Sequence, residues 1–197
     1  MLNFALIIGS TRPNRFADHP AKWIIEGAAE RGDFQLETLD LREHRLPFFN
    51  EPAPPIYTEG RYSEPVAEAW RRKIGAFDGY IATVAEYNHG PAAVMKNALD
   101  SAFFEWNRKP IAFVGYGGSG GVRAIEHLRG VAVELQMAPV KQEVNIAREA
   151  YLGVLQGRSL SDFDYLVQSR TAMFDNLAWW GRALKNARTE AASSKAA

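Results

Sequence analysis

Apolar residues in this chain fall into short unbroken runs, separated by stretches in which they recur every three or four positions. The run from Phe4 to Gly9 lacks polar alternation and predicts a strand buried on both faces. Pro20 to Arg31 sets Trp23, Ile24, Gly27 and Ala28 at helical spacing and ends before Gly32, which predicts a helix. Phe34 to Asp40 alternates, as an edge strand with one wet face does. Pro47, Pro52, Pro54, Pro55 and Pro65 make the next segment a long stiffened loop. Helices are then predicted over Val66 to Phe77, Ala92 to Phe104 and Val122 to Met137, with strands over Tyr80 to Ala85, Ile111 to Gly115 and Pro139 to Val144. Asp162 to Arg188 reads as a long terminal helix, and 189–197, rich in Ser, Ala and Lys, as a disordered tail. Strands alternating with helices of this length predict an α/β fold. The expected architecture is a three-layer sandwich on a five-stranded parallel sheet, forming one domain over 1–188.

Composition narrows the function classes. The 197 residues suffice for a substantial single core. Twenty-three basic residues against twenty-three acidic ones leave no global field to attract nucleic acid or an anionic membrane. Cysteine is absent, which excludes disulfides, thiolate metal sites and cysteine nucleophiles and fits a cytoplasmic protein. Four scattered histidines show no zinc spacing. The chain enters a strand directly, and no apolar run is long enough to span a bilayer, so neither a signal peptide nor a membrane anchor is expected.

Three loops carry the candidate chemistry. Gly9-Ser10-Thr11-Arg12-Pro13-Asn14-Arg15 follows the first buried strand. Gly9 permits a tight turn, Ser10 and Thr11 offer hydroxyls and amides, and Arg12 and Arg15 offer forks for phosphate oxygens. Glu86-Tyr87-Asn88-His89-Gly90-Pro91 follows the third strand, and Gly115-Tyr116-Gly117-Gly118-Ser119-Gly120-Gly121 the fourth. With strand order 2-1-3-4-5 all three lie at the carboxyl end of the sheet, beside the point where the order reverses. Asn88 and Tyr87 suit a sugar-like chain and the edge of a ring, and the glycines let backbone approach a planar ligand. A planar redox ring joined through a polyol to phosphate is FMN. The first turn has neither Gly-x-Gly-x-x-Gly nor a Walker loop, which argues against a dinucleotide or nucleoside triphosphate there. Lys96, Asn97 and Asp100 read mainly as packing, capping and pairing residues, and Trp179 and Trp180 as core or a subunit contact.

On Gly9 to Arg15, Asp40-Leu41-Arg42-Glu43 with Leu46-Pro47, Glu86-Tyr87-Asn88 with Lys96 to Asp100, and Gly115 to Gly121, the chain resembles the NADPH-dependent FMN reductases. These are flavodoxin-like quinone, chromate and azo-dye reductases, and the resemblance spans roughly residues 3 to 145. It implies that Ser10, Arg12 and Arg15 take the FMN phosphate, with Gly9 and Thr11 in the same turn. It places Glu86, Tyr87 and Asn88, with His89 beside them, along the ribityl chain and ring, and Gly117, Gly118 and Ser119 against the isoalloxazine. It further implies NADPH or NADH as co-substrate and a ping-pong transfer to a quinone, azo compound, metal oxyanion or free flavin. The implied assembly is a homodimer or homotetramer. No side chain need be an acid or base, and Tyr87 stands nearest the ring. The proline-rich segment is expected either to reach over a flavin or to remain a rigid surface loop. Three positions depart from the family pattern: Ala85 precedes Glu86 where proline is usual, His89-Gly90-Pro91-Ala92 closes the loop differently, and Arg15 replaces a small hydroxyl residue. The competing readings are a non-enzymatic flavodoxin-type electron carrier, which the neutral charge disfavours, and an FMN-based sensor.

Overall fold

Leu2–Ile8 forms the first strand, β1, and its side chains divide between two cores. Leu2, Phe4, Leu6 and Ile8 face one layer of helices, and Ala5 and Ile7 the other. This two-sided burial is why the run shows no polar alternation. The computed structural model describes residues 1–58 and 60–196, the last two by their backbone alone.

Helix α1 (Asp18–Ala29) leads to β2 (Phe34–Asp40), which pairs parallel with β1 from Leu2↔Phe34 to Ile8↔Asp40. The proline-rich connection contains one 3-10 turn, Pro55–Tyr57, and ends at α2 (Pro65–Gly75). Strand β3 (Gly79–Tyr87) lies on the other side of β1 and runs on into a hairpin with β4 (Gly90–Pro91). Then come α3 (Ala93–Asp100), β5 (Pro110–Tyr116) and α4 (Val122–Glu134). Short β6 (Ala138–Pro139) and β7 (Val144–Ile146) both pair with β5, and α5 (Arg148–Leu155) and α6 (Asp164–Ala196) close the chain.

The order β2-β1-β3-β5-β6 is the expected 2-1-3-4-5 arrangement, with β4 as an added hairpin strand. The fifth strand, expected continuous over 139–144, is split. Pro139 removes a ladder donor at the break, and Arg129 reaches across to the Val140 and Lys141 carbonyls at 2.9 and 3.1 Å. The third helix stops at Asp100 rather than Phe104, and the fourth at Glu134 rather than Met137. Helix α5 was not foreseen. The terminal helix runs past Arg188 to Ala196, so the expected disordered tail is helical that far, and Ala197 lies outside the described residues. Trp179 and Trp180, expected in a core or a subunit contact, are 58% and 39% exposed on α6. Among the described residues no helix is long and apolar enough to cross a membrane.

Helices α2, α3 and α4 cover one face of the sheet, and α1, α5 and α6 the other. Buried Trp70 and Trp106 anchor the first of these layers, each indole donating to an α3 carbonyl: Ala98 at 2.8 Å and Leu99 at 3.1 Å. Register then fixes the site, since Ile8↔Thr83 and Ala85↔Tyr116 bring the carboxyl ends of β1, β3 and β5 side by side.

Candidate functional site

A cleft of about 340 Å3 opens at that end of the sheet. Ser10, Arg12, Asn14, Arg15, Phe16 and His19 come from the turn after β1 and the start of α1; Ala85, Glu86 and Tyr87 come from the end of β3. Tyr116, Gly117 and Gly118 follow from β5, and Tyr151 and Leu155 from α5. Ser10, Arg12, Arg15, Glu86, Tyr87, Gly117 and Gly118, all singled out from the sequence, therefore meet in one place. Gly9, Thr11, Asn88, His89 and Ser119 do not line it.

Their positions have local causes. A Cβ on Gly9 would stand 2.3 Å from the Thr83 carbonyl oxygen, so only glycine lets β1 end against β3. The Gly9 amide donates to Thr83 Oγ1 at 3.1 Å, while those of Ser10, Thr11 and Arg12 have no acceptor among the described residues. Asn88 and His89 are the exposed two-residue turn of the β3–β4 hairpin, at φ 51° and 68°. Both angles are positive, as a type I′ turn requires, and asparagine tolerates that region best after glycine. Ser119 accepts from Arg123 Nη2 at 3.0 Å, away from the cleft.

Glu86 is half committed elsewhere. Its carboxylate accepts the Arg123 amide at the start of α4 (3.1 Å) and the Arg123 guanidinium (Nε, 2.7 Å). Burial alone would raise its pKa, but the Arg123 and backbone hydrogen bonds outweigh it and hold the group ionised below the usual carboxylate range. This brace ties the Glu86–Asn88 turn to the glycine loop. Nothing in the sequence pairs Arg123 with a residue 37 positions earlier, which is why it was missed.

The polar atoms facing the cleft fit an FMN phosphate and its attached chain. Ser10 Oγ lies 3.2 Å from the Tyr87 hydroxyl, and the Arg12 guanidinium sits 5.8 Å from the Tyr87 ring centroid. Tyr116 is 6% exposed, and its hydroxyl is buried with no hydrogen-bond partner. Burial drives its pKa well above that of free tyrosine, so it stays a donor; nearby Ser10 tempers the rise without reaching hydrogen-bond geometry. A buried phenol without a partner therefore lies directly behind the cleft wall, next to the Ser10–Tyr87 pair. A Cβ at Gly117 or Gly118 would meet nothing within 4 Å, so this wall is open where a flat ring needs clearance.

The comparisons with known proteins agree with this geometry. The family model for NADPH-dependent FMN reductases matches residues 2–150. The chain belongs to that family. It is 34% identical over 146 residues to an NAD(P)H-dependent FMN reductase of Schizosaccharomyces pombe, covering 73% of each chain. It is 33% identical over 142 residues to an NADPH:quinone oxidoreductase of Arabidopsis thaliana, covering 70% of this chain and 69% of that one. Membership makes it an oxidoreductase that uses FMN and NAD(P)H. Among solved structures, the flavoenzyme FerB of Paracoccus denitrificans superposes with a TM-score of 0.71 at 18% identity. That likeness covers 93% of this chain and 98% of FerB, and it shows the flavodoxin-like fold. Tyr151 and Leu155 lie beyond the matched residues, and α5, which carries them, starts without a side-chain cap to announce it. Asn14, Phe16, His19 and Tyr116 also line the cleft without having been singled out.

No described residue of the proline-rich loop lines the cleft of its own chain. Asn97 pins it against α3, accepting from the Phe49 amide at 2.9 Å and donating to the Pro47 carbonyl at 2.8 Å. Lys96 and Asp100 form an ion pair one helical turn apart, at 2.6 Å. The structural role expected for this helix is the one observed.

Proposed function

We propose that the chain is a cytoplasmic NAD(P)H oxidoreductase, working as a homodimer or homotetramer, whose nicotinamide and acceptor substrates occupy one site in turn. Quinones, azo compounds, metal oxyanions and free flavin are the acceptors in view. One observation supports the flavin part most strongly: a single cleft joins acceptor-free amides at the end of β1 to a glycine wall facing open space. The amides and Arg12 suit a phosphate, and the wall suits a ring.

FMN, once bound, supplies the chemistry of hydride acceptance and electron delivery. The chain's own groups bind and orient. Ser10, Thr11 and Arg12 hold the phosphate by amide, hydroxyl and guanidinium donors. Tyr87 and Glu86 border the ribityl chain and ring, Gly117 and Gly118 border the ring's opposite edge, and Asn88 and Ser119, outside the cleft lining, adjoin them in the same two loops. His89 is exposed beside them in the hairpin turn. No residue here is required to move a proton. Parallel initial-rate lines are expected when NADPH and a benzoquinone are varied together; intersecting lines contradict the shared site.

A further inference from the structure

The Arg15 side chain is 3% exposed, and each of its five N–H donors has an oxygen within reach. Nη1 lies 2.6 Å from Asp40 Oδ1 and 2.6 Å from the Ser10 carbonyl oxygen. Nη2 lies 2.5 Å from Asp40 Oδ2 and 2.7 Å from Asp18 Oδ1, and Nε donates to Asp18 Oδ1 at 2.7 Å. Asp40 also accepts the Arg42 amide at 2.9 Å. Arg42 Nη2 in turn donates to the Arg12 carbonyl. No Arg15 donor remains for a phosphate unless a carboxylate lets go.

We infer that Arg15 and Asp40 form a clamp that sets the shape of the phosphate turn, and that Arg15 is a positioning residue rather than a phosphate ligand. The inference rests on the flavin reading proposed above. The clamp works through the Ser10 carbonyl. In a trans peptide the carbonyl of one residue and the N–H of the next point in opposite directions, and none of the peptide bonds among the described residues is cis. Drawing the Ser10 oxygen onto Arg15 therefore turns the Thr11 amide away from the clamp, where it has no acceptor among the described residues. Arg42 holds the Arg12 carbonyl and so fixes the Arg12–Pro13 peptide, in which Pro13 has no N–H to offer. The bridge joins the ends of two strands, because Asp40 stands level with Ile8 in the β1–β2 register. Ordering the turn before ligand arrives removes a cost that binding would otherwise carry.

Charge counts the same way. Arg15 and Arg42 are both balanced by Asp18 and Asp40, so the attraction for a phosphate is left to Arg12 and the free amides.

The test uses the parent protein, Asp40→Asn and Arg15→Lys, each titrated with FMN and with riboflavin by flavin fluorescence, after thermal melts confirm folding. If Arg15 were a phosphate ligand restrained by Asp40, Asp40→Asn would free it and FMN would bind more tightly; Arg15→Lys would keep most of the affinity. The clamp predicts the opposite sign. Both variants should lose about tenfold or more in FMN affinity, with riboflavin affinity little changed, because only the phosphate increment depends on the turn. Unchanged or tighter FMN binding by Asp40→Asn overturns the inference. Equal loss for FMN and riboflavin overturns it too, by making the role one of general stability. A parent protein that binds riboflavin but gains nothing from the phosphate overturns the clamp alone, and one that binds neither flavin removes the flavin reading along with it.

Discussion

Gly9→Ala is expected to cost about 3 kcal/mol of folding stability, at the upper end for overpacking a tight interior. The added methyl would stand 2.3 Å from the Thr83 carbonyl oxygen and 2.4 Å from Met95 Cε. The methionine tip can swing aside, but the Thr83 oxygen belongs to the backbone of the central strand pair. Relief would require β1 to part from β3, where the register Ile8↔Thr83 closes the ladder, and the Gly9 donation to Thr83 Oγ1 would go with it. Gly32→Ala is the control, since nothing lies within 4 Å of its Cβ position. Urea unfolding of the two variants should separate them clearly. A Gly9→Ala protein as stable as Gly32→Ala would mean that β1 does not end packed on β3.

Gly118→Leu should act in the opposite way, sparing the fold and removing the cofactor. Its Cβ position is free of neighbours and its φ is not in the left-handed region, so unfolding should shift by no more than about 0.5 kcal/mol. The isobutyl group would occupy space beside the cleft that the ring needs. FMN affinity is expected to fall by about a hundredfold, on the order of 3 kcal/mol, as read by fluorescence titration. Parent-like affinity would place the ring elsewhere. The neighbouring Gly117 is a poorer test, because its φ of 132° strains any other residue.

These two glycines illustrate what was legible in the sequence. Unbroken apolar runs marked β1, β3 and β5, because burial on both faces leaves no polar side for the pattern to record. Once those strands were placed, chain order and the right-handed crossover brought their following loops to one end, so half of the cleft lining could be named by residue. The parts not read depend on contacts distant in sequence or on backbone angles. The resemblance gives Arg15 to the phosphate, and only the β1–β2 register reveals Asp40, 25 residues on, beside it. Glu86 reads as a ligand-facing acid until Arg123 is seen to hold it. Asn88 and His89 look like site residues by composition, and their positive φ values show them to be the turn of a hairpin. Helix α5 is only eight residues long and has an uncapped start, so it left no periodic signature, yet it supplies two residues of the cleft lining.

The most direct test of the account is the visible spectrum of the purified protein, recorded after incubation with FMN and desalting, and again after anaerobic addition of NADPH. Retained yellow absorbance that bleaches within seconds is the predicted result, showing a bound flavin within reach of a nicotinamide. Protein that emerges colourless from desalting contradicts the placement of FMN in the cleft, and colour that NADPH leaves untouched contradicts the reductase.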